Sequence, residues 1–290
     1  MPESPILVLL LGVTVMLAMI GLHVPVGAAM ALSGLALFAA LVDWSAAIAT
    51  VSVEVASAFT NADLVTIPLF LLMGSLAAKA GISSDIYAMA SKWIGHRRGG
   101  LAVATVAGSA GFGALCGSSV ATTATMGRVA LPEMLARGYA PGLATGSIAS
   151  GGTLGILIPP SIVMVIYAVL TEQFVLDLFV AGILPGLLAA TLYCLAIAVV
   201  GALNPSAGPA FPPAPWSERW AAVLSAWRAG AVIVVVVVGL YSGVFSVAEG
   251  ASMGVLLTGV FFLLRRPQAG WLADLRLGAL ESAQDPARSF

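Results

Sequence analysis

The stretch Gly113–Gly127 reads G-A-L-C-G-S-S-V-A-T-T-A-T-M-G and combines glycines, serines and threonines without a single charge. It lies in a chain of 290 residues, of which 60% are hydrophobic and only 9% are charged. Ordinary soluble domains carry about 25% charged residues, so this composition indicates an integral membrane protein. An uncharged polar stretch inside such a chain needs a structural explanation.

Two apolar runs, 6–22 and 181–203, are long enough to cross a hydrocarbon core of about 30 Å as helices. Glu3 is the only charged residue before the first run, which favours a transmembrane helix over a cleaved signal peptide. Cys116 and Cys194 lie far apart in apolar surroundings, so they indicate neither a disulfide nor a metal site.

The basic residues predict the orientation of the chain in the membrane. Lysine and arginine cluster at 92–98, 137, 219–228 and 265–266, and the positive-inside rule places these segments in the cytoplasm. The remaining loops carry only acidic residues, which places them and the N-terminus outside the cytoplasm.

The quoted stretch lies between Arg98 and Arg137, where the chain must leave the cytoplasmic side and return without an external loop. A re-entrant helical hairpin satisfies both ends, with arms at 99–115 and 120–135 that meet at 116–119. Lipid cannot satisfy free backbone groups, so irregular backbone at this depth must be buried in protein or line a watery cavity. The stretch is therefore predicted to be a hairpin tip that serves something polar.

A second interruption is expected at 150–161, S-G-G-T-L-G-I-L-I-P-P-S, within a helix that would otherwise run from 141 to 170. Glycines and adjacent prolines favour a discontinuous transmembrane helix here. Its first half ends in free carbonyls that suit cations, and its second half begins with free amides that suit anions.

The rest of the chain divides into segments with distinct expected roles. They are transmembrane helices at 1–98, the hairpin and broken helix at 99–170, a transmembrane helix at 171–203, a proline-rich cytoplasmic linker and interfacial helix at 204–228, two transmembrane segments at 229–266, and a polar tail at 267–290. Three tryptophans are expected at headgroup depth beside the interfacial helix: Trp216, Trp220 and Trp227.

Discontinuous helices and hairpin tips are how secondary transporters build sites for a substrate and a coupling ion. Sodium is a hard cation that takes oxygen ligands, so broken backbone and nearby hydroxyls could replace its water. The candidate hydroxyls are those of Ser118, Ser119, Thr122 and Thr153. The alternative is that small residues only let helices pack closely, and this is favoured for Thr123, Thr125 and Ser147.

Several signatures of other functions are absent from the sequence. There is no phosphate-binding loop, no H-E-x-x-H motif, and no positioned base near Ser118 of the kind that an intramembrane hydrolase needs. We therefore expect a protein that is not an enzyme, that takes no cofactor apart from a coupling ion, and that has a lipid bilayer rather than nucleic acid as its surroundings.

Specific runs resemble the large membrane subunit of tripartite ATP-independent periplasmic (TRAP) transporters. The runs are 117–127, G-S-S-V-A-T-T-A-T-M-G, 129–134, V-A-L-P-E-M, and 144–162, A-T-G-S-I-A-S-G-G-T-L-G-I-L-I-P-P-S-I, with shorter matches at 170–173, 178–186 and 239–245. The resemblance implies an all-α polytopic protein of the bacterial inner membrane with a periplasmic N-terminus. It also implies sodium-driven import of organic anions, such as dicarboxylates or sugar acids, by an elevator mechanism.

The resemblance further implies partners and site residues. The partners would be a small membrane subunit and a periplasmic binding protein that delivers the substrate. The family's sodium site would fall on Gly117, Ser118, Ser119, Gly152, Gly155 and Pro159. Hydroxyls lining the same cavity would be those of Thr122, Thr153 and Ser161.

Two departures from the family pattern are visible. The run Ser246–Glu249, S-V-A-E, replaces the usual Thr-Pro-Thr-Glu, and the second hairpin and broken helix of the inverted repeat do not follow. The chain is thus expected to be one half of a transporter, as a truncated product, a fragment or one part of a split protein. The open alternatives are another ion-coupled anion carrier of similar plan and a non-transporting membrane scaffold or assembly subunit.

Overall fold

The computed structural model describes residues 5–61 and 63–265, and all regular secondary structure in that part of the chain is helical. The helices are α1 (Pro5–Gly21), α2 (Val26–Leu41), α3 (Trp44–Thr60), α4 (Thr66–Lys79), α5 (Ile82–Ile94), α6 (Gly100–Cys116), α7 (Ser119–Ala136), α8 (Pro141–Leu157), α9 (Ile162–Leu170), α10 (Val175–Leu203), α11 (Trp216–Ser225), α12 (Trp227–Ile233), α13 (Gly239–Tyr241) and α14 (Val247–Leu264). A π-helical turn, Val234–Val238, joins α12 to α13. The expected all-helical architecture is confirmed, while the polar tail predicted at 267–290 lies outside the described residues.

The helices form two compact units, the first containing α1–α3 and the second α4–α14. In the first unit α1 packs on α2 so closely that a Cβ on Gly12 would lie 2.9 Å from Leu37 Cδ1. The turn after α1 places His23 in the left-handed region at φ 65°. Asp43 begins α3 as its N-cap, since its carboxylate accepts the Ala46 N–H at 2.8 Å.

Length and composition identify the helices that could cross a membrane. Among the described residues α10 and α14 are long and apolar enough on their own. Three bent pairs also qualify when each is counted as one span: α4 with α5 at 64°, α8 with α9 at 42°, and α11 with the helical stretch 227–241 at 47°. This pattern of apolar and bent helices is that of a polytopic membrane protein.

The predicted hairpin is present as α6 and α7, and each arm agrees with the expected bounds to within about one residue. α6 has 17 residues, which at 1.5 Å per residue is about 26 Å, shorter than a hydrocarbon core of about 30 Å. The base of the hairpin is closed by Tyr139, whose hydroxyl accepts the Leu101 N–H at 3.1 Å. This hydrogen bond therefore fixes the base of the hairpin.

The predicted broken helix is present as α8 and α9, but the interruption is shorter than the expected 150–161. Gly151, Gly152 and Gly155 are all helical, and the chain leaves the helix only at 158–161. Pro159 and Pro160 end α8 because a proline has no N–H to donate and restricts the residue before it. The glycines serve close packing on the hairpin, described below.

The proline-rich segment between α10 and α11 lies along the cytoplasmic ends predicted for the hairpin and α8. Gly99 N–H donates to Gly208 O at 3.0 Å, Ala140 N–H to Ala207 O at 2.9 Å, and Phe211 N–H to His96 O at 3.2 Å. The predicted linker is thus a strap, defined here as residues 204–215, that joins the base of the hairpin to the start of α8.

Two further contacts position the last helices. α11 packs on α5, where Lys92 pairs with Glu218 at 2.6 Å and Trp93 meets the rings of Trp216 and Trp220 edge-on. Trp216, Trp220 and the nearby Trp227 remain 56–64% exposed, and their predicted place at headgroup depth stays a prediction. The run 246–249 departs from the family pattern. It still caps the start of α14, because Ser246 and Glu249 form a complete capping box.

Candidate ion-binding site at the hairpin tip

The hairpin tip is built by one glycine and one serine. Gly117 ends α6 in the left-handed conformation at φ 63°, which an L side chain rarely adopts, and its N–H donates to Gly113 O at 2.8 Å. Ser118 then begins α7 as its N-cap, with its hydroxyl accepting the Ala121 N–H at 3.4 Å. Two residues therefore reverse the chain between two helices.

The tip meets the interruption of the broken helix directly. The N–H of Ile162, the first residue of α9, donates to Gly117 O at 3.1 Å. A Cβ on Gly117 would lie 3.0 Å from Pro160 O, so only glycine allows this approach without a shift. Two segments more than 40 residues apart, each predicted from sequence to carry irregular backbone, are thus joined by a backbone hydrogen bond.

The glycines of α8 let this helix lie against the hairpin. A Cβ on Gly155 would come within 2.7 Å of both Ser118 O and Thr122 Oγ1, and a Cβ on Gly113 would lie 2.7 Å from Gly155 Cα. One turn earlier, a Cβ on Gly152 would overlap the side chain of Thr123. Gly155 therefore lies at the tip, whereas Gly152 packs on the second arm of the hairpin.

Thr122 holds the tip in place from within the second arm. Its hydroxyl donates to Ser118 O at 2.7 Å and lies 3.1 Å from Cys116 Sγ, and the residue is fully buried. Both partners belong to the tip itself, so the Thr122 hydroxyl is used in ordering the tip. It does not line an open cavity.

Ser161 and Pro159 form the interruption on the other side. Ser161 is fully buried and its hydroxyl donates to Ile156 O at 2.7 Å, which satisfies one of the last carbonyls of α8. Pro159 is buried and precedes Pro160 through a cis peptide bond. The interruption is therefore tied to α8 by a side chain and to the tip by a backbone amide.

Ser119 and Thr153 differ in their surroundings. Ser119 is the first residue of α7, is half-buried, and its hydroxyl forms no hydrogen bond with any residue that the structure describes. Thr153 is exposed, donates to Ser150 O at 2.7 Å and lies 3.2 Å from the hydroxyl of Tyr193 on α10. The structure thus brings Ser119 to the tip and places Thr153 on the side of α8 that faces α10.

Four helix ends converge where the tip meets the interruption. α6 and α8 end there with carbonyl oxygens that lack intrahelical donors, and α7 and α9 begin there with amide groups. Carbonyl ends attract cations and amide ends attract anions. The polar residues at the tip are all neutral, and within 5–61 and 63–265 there is no group of three His, Cys, Asp or Glu residues that could hold a metal. The arrangement suits a hard monovalent cation bound by neutral oxygens.

Some contributors to this region were missed by the sequence reasoning. The sequence assigns no role to Cys116 beyond excluding a disulfide and a metal site, yet its thiol lies against the Thr122 hydroxyl. Gly182 and Gly186 allow α10 to pack closely on the end of α8, since a Cβ on either would lie 3.3 Å from Leu157 O. The G-x-x-x-G spacing of these two glycines is a known signal for close helix packing and could have identified them.

Comparisons with known proteins identify the family to which the sequence is similar. The family model described as "Tripartite ATP-independent periplasmic transporter, DctM component" matches residues 13–275. A C4-dicarboxylate TRAP transporter large permease protein of Pseudomonas aeruginosa is 40% identical over 190 residues, covering 66% of this chain and 44% of the relative. The corresponding C4-dicarboxylate protein of Vibrio cholerae is 35% identical, covering 75% and 48%. An ectoine TRAP transporter large permease protein of Halomonas elongata is 36% identical, covering 67% and 45%.

The chain thus spans about half the length of the curated relatives that it matches. The matched family consists of transporters and not of enzymes, in agreement with the sequence-based expectation. Because the family model covers most of the chain, the chain belongs to the DctM family of TRAP transporter large permease subunits.

Proposed function

We propose that this chain supplies the sodium-binding half of a TRAP transporter that imports small organic anions across the bacterial inner membrane. The observation that carries the proposal is the hydrogen bond from Ile162 N–H to Gly117 O, which joins the hairpin tip to the helix interruption. Secondary transporters place coupling ions at such junctions of discontinuous helices.

The proposed ion ligands are neutral oxygens at the junction. They are the backbone carbonyls near Gly117, Gly155 and Pro159 together with the hydroxyls of Ser118 and Ser119. The Ser119 hydroxyl is the best side-chain candidate, because it is half-buried and uncommitted to any described residue. Thr122 and Ser161 serve by holding the two segments in place, since their hydroxyls are already bonded to backbone carbonyls of the tip and of α8.

Sodium coupling supplies the energy for uptake in this proposal. Moving one positive charge inward across about 100 mV supplies roughly 2.3 kcal/mol, to which a concentration gradient adds. A bound ion can drive accumulation only if the ion and the substrate are carried together. We further propose that an elevator-type movement carries the ion and the substrate together.

The substrate class and the partners are proposed from the relatives. Their names refer to C4-dicarboxylate and ectoine, and both compounds carry a carboxylate group. Amide ends such as the start of α9 suit an acidic group of this kind. A periplasmic binding protein would deliver the substrate, and a small membrane subunit and the remaining half of the permease would complete the transporter.

Reconstitution tests the proposal. The complete permease containing this chain, with its small subunit, is placed in proteoliposomes and supplied with a binding protein carrying labelled C4-dicarboxylate. We expect accumulation under an inward sodium gradient and none under an equal potassium gradient. Equal accumulation with potassium would refute sodium coupling. A complete assembly that moves no anion under either gradient would favour a scaffold role.

A further inference from the structure

A groove lies between α8 and α10, on the side of α8 away from the hairpin tip. Its volume is about 160 Å³. It is lined by Gly142, Leu143, Gly146, Ser147, Ser150, Tyr193, Ala196, Ile197 and Val200. From Tyr193 to Val200 the groove follows two turns of α10, a distance of about 10 Å.

The α8 side of the groove is formed partly by two glycines that have no side chain to fill it. A Cβ on Gly142 or Gly146 would meet no atom within 4 Å, in contrast to Gly152 and Gly155, which are packed on the hairpin. The wall from α10 is apolar except for Tyr193, whose hydroxyl lies 3.2 Å from Thr153 Oγ1 at the inner end. The groove is therefore largely apolar, and the polar side chains of its lining are Tyr193, Ser147 and Ser150.

The other end of the groove lies beside two arginines. Gly201, which follows the lining residue Val200, is so close to the 98–99 backbone that its Cβ would lie 3.1 Å from Arg98 O. Arg97 and Arg98 are both exposed, and neither forms an ion pair with any residue that the structure describes. The segment that adjoins this end of the groove therefore carries two exposed guanidinium groups without a carboxylate partner among the described residues.

We infer that this groove binds one acyl chain of an anionic phospholipid, with the phosphate at Arg97 and Arg98. The two ends of the site match the two parts of such a lipid, since an apolar channel adjoins uncompensated positive charge. Basic pockets between helices on the cytoplasmic side are a recognised form of site for anionic lipid headgroups. The charged mouth favours a phospholipid over an apolar protein segment, which would leave both arginines without a counter-charge.

Native mass spectrometry of the purified transporter tests the inference. Phosphatidylglycerol and phosphatidylcholine with identical chains are added after delipidation, and the retained lipid is measured. We expect preferential retention of phosphatidylglycerol, falling about fivefold for each arginine replaced in Arg97→Gln and Arg98→Gln. Equal retention of the two lipids by the unaltered protein would overturn the headgroup assignment.

The acyl-chain part is tested by filling the groove. Gly146→Leu places a side chain in the groove and should abolish retention, while Gly127→Leu is the matched control, because Gly127 also faces open space but lies on α7 outside the groove. If gel filtration shows that the Gly146→Leu variant is not folded, Ala196→Leu is used instead, because Ala196 lines the same groove from α10. Undiminished lipid retention in a folded variant would overturn the inference. The absence of any retained phospholipid in the complete assembly would also overturn it, and would indicate that protein covers the groove.

Discussion

At the scale of single residues, Gly155 controls how closely the broken helix approaches the hairpin tip. A Cβ there would come within 2.7 Å of Ser118 O and Thr122 Oγ1, which is closer than real Cβ contacts allow. Gly155→Ala should therefore destabilise the protein by about 1–3 kcal/mol, the usual cost of overpacking. Unfolding of the purified protein measures the effect. Gly146→Ala on the same helix is the control, because it shares the gain in helix propensity but meets no atom within 4 Å. Equal stability of the two variants would contradict the packing described at the tip.

Thr122 offers a second test at this scale. Thr122→Val keeps the shape of the side chain but removes the hydroxyl that donates to Ser118 O at 2.7 Å. We expect a loss of about 1 kcal/mol or more, since a buried acceptor loses a partner. Thr122→Ser retains the hydroxyl and should lose less. Denaturant unfolding compares the two variants, and a Val variant as stable as the Ser variant would show that the bond contributes nothing to the tip.

At the scale of elements, the strap fixes the base of the hairpin. A Cβ on Gly208 would lie 2.9 Å from Gly99 Cα, so Gly208→Val should push the strap away and break the Gly99 N–H to Gly208 O bond. Hydrogen exchange should accelerate at the amides of Gly99 and Ala140, both of which donate to the strap. Ala210→Val is the control, because Ala210 is an exposed residue of the same strap. Unchanged protection in the Gly208 variant would mean that the strap does not hold the hairpin.

The elements also show how far sequence reasoning reaches. The hairpin was predictable because charge placement and an uncharged polar stretch are local signals, and its tip falls at Gly117 and Ser118 as expected. The helix interruption was predicted too long, because glycine is a weak helix former in isolation. In the folded chain Gly152 and Gly155 stay helical, since their missing Cβ atoms allow α8 to lie on the hairpin. The strap was not predictable, because its hydrogen bonds join backbone groups far apart in sequence.

For the complete chain, the placement of charge predicts which loops face outward. Lysine and arginine are absent from the segments around Asp63 and Glu172, so both should lie outside the cytoplasm. On a background lacking Cys116 and Cys194, cysteines placed at 63 and 172 should react with an impermeant thiol reagent on intact cells. A cysteine at Arg97 should react only after the cells are permeabilised. The reverse labelling pattern would contradict the orientation.

We propose above that the tip and the interruption together hold the coupling sodium ion. The most direct measurement is the sodium dependence of uptake by the complete transporter carrying Ser118→Ala and Ser119→Ala. Loss of the hydroxyls should weaken apparent sodium affinity by about 1–3 kcal/mol, the cost of leaving a polar partner unmatched. The control is Thr153→Ala, whose hydroxyl faces Tyr193 on α10 and whose loss should leave the sodium dependence unchanged. A double variant with the sodium dependence of the unaltered transporter would contradict the claim.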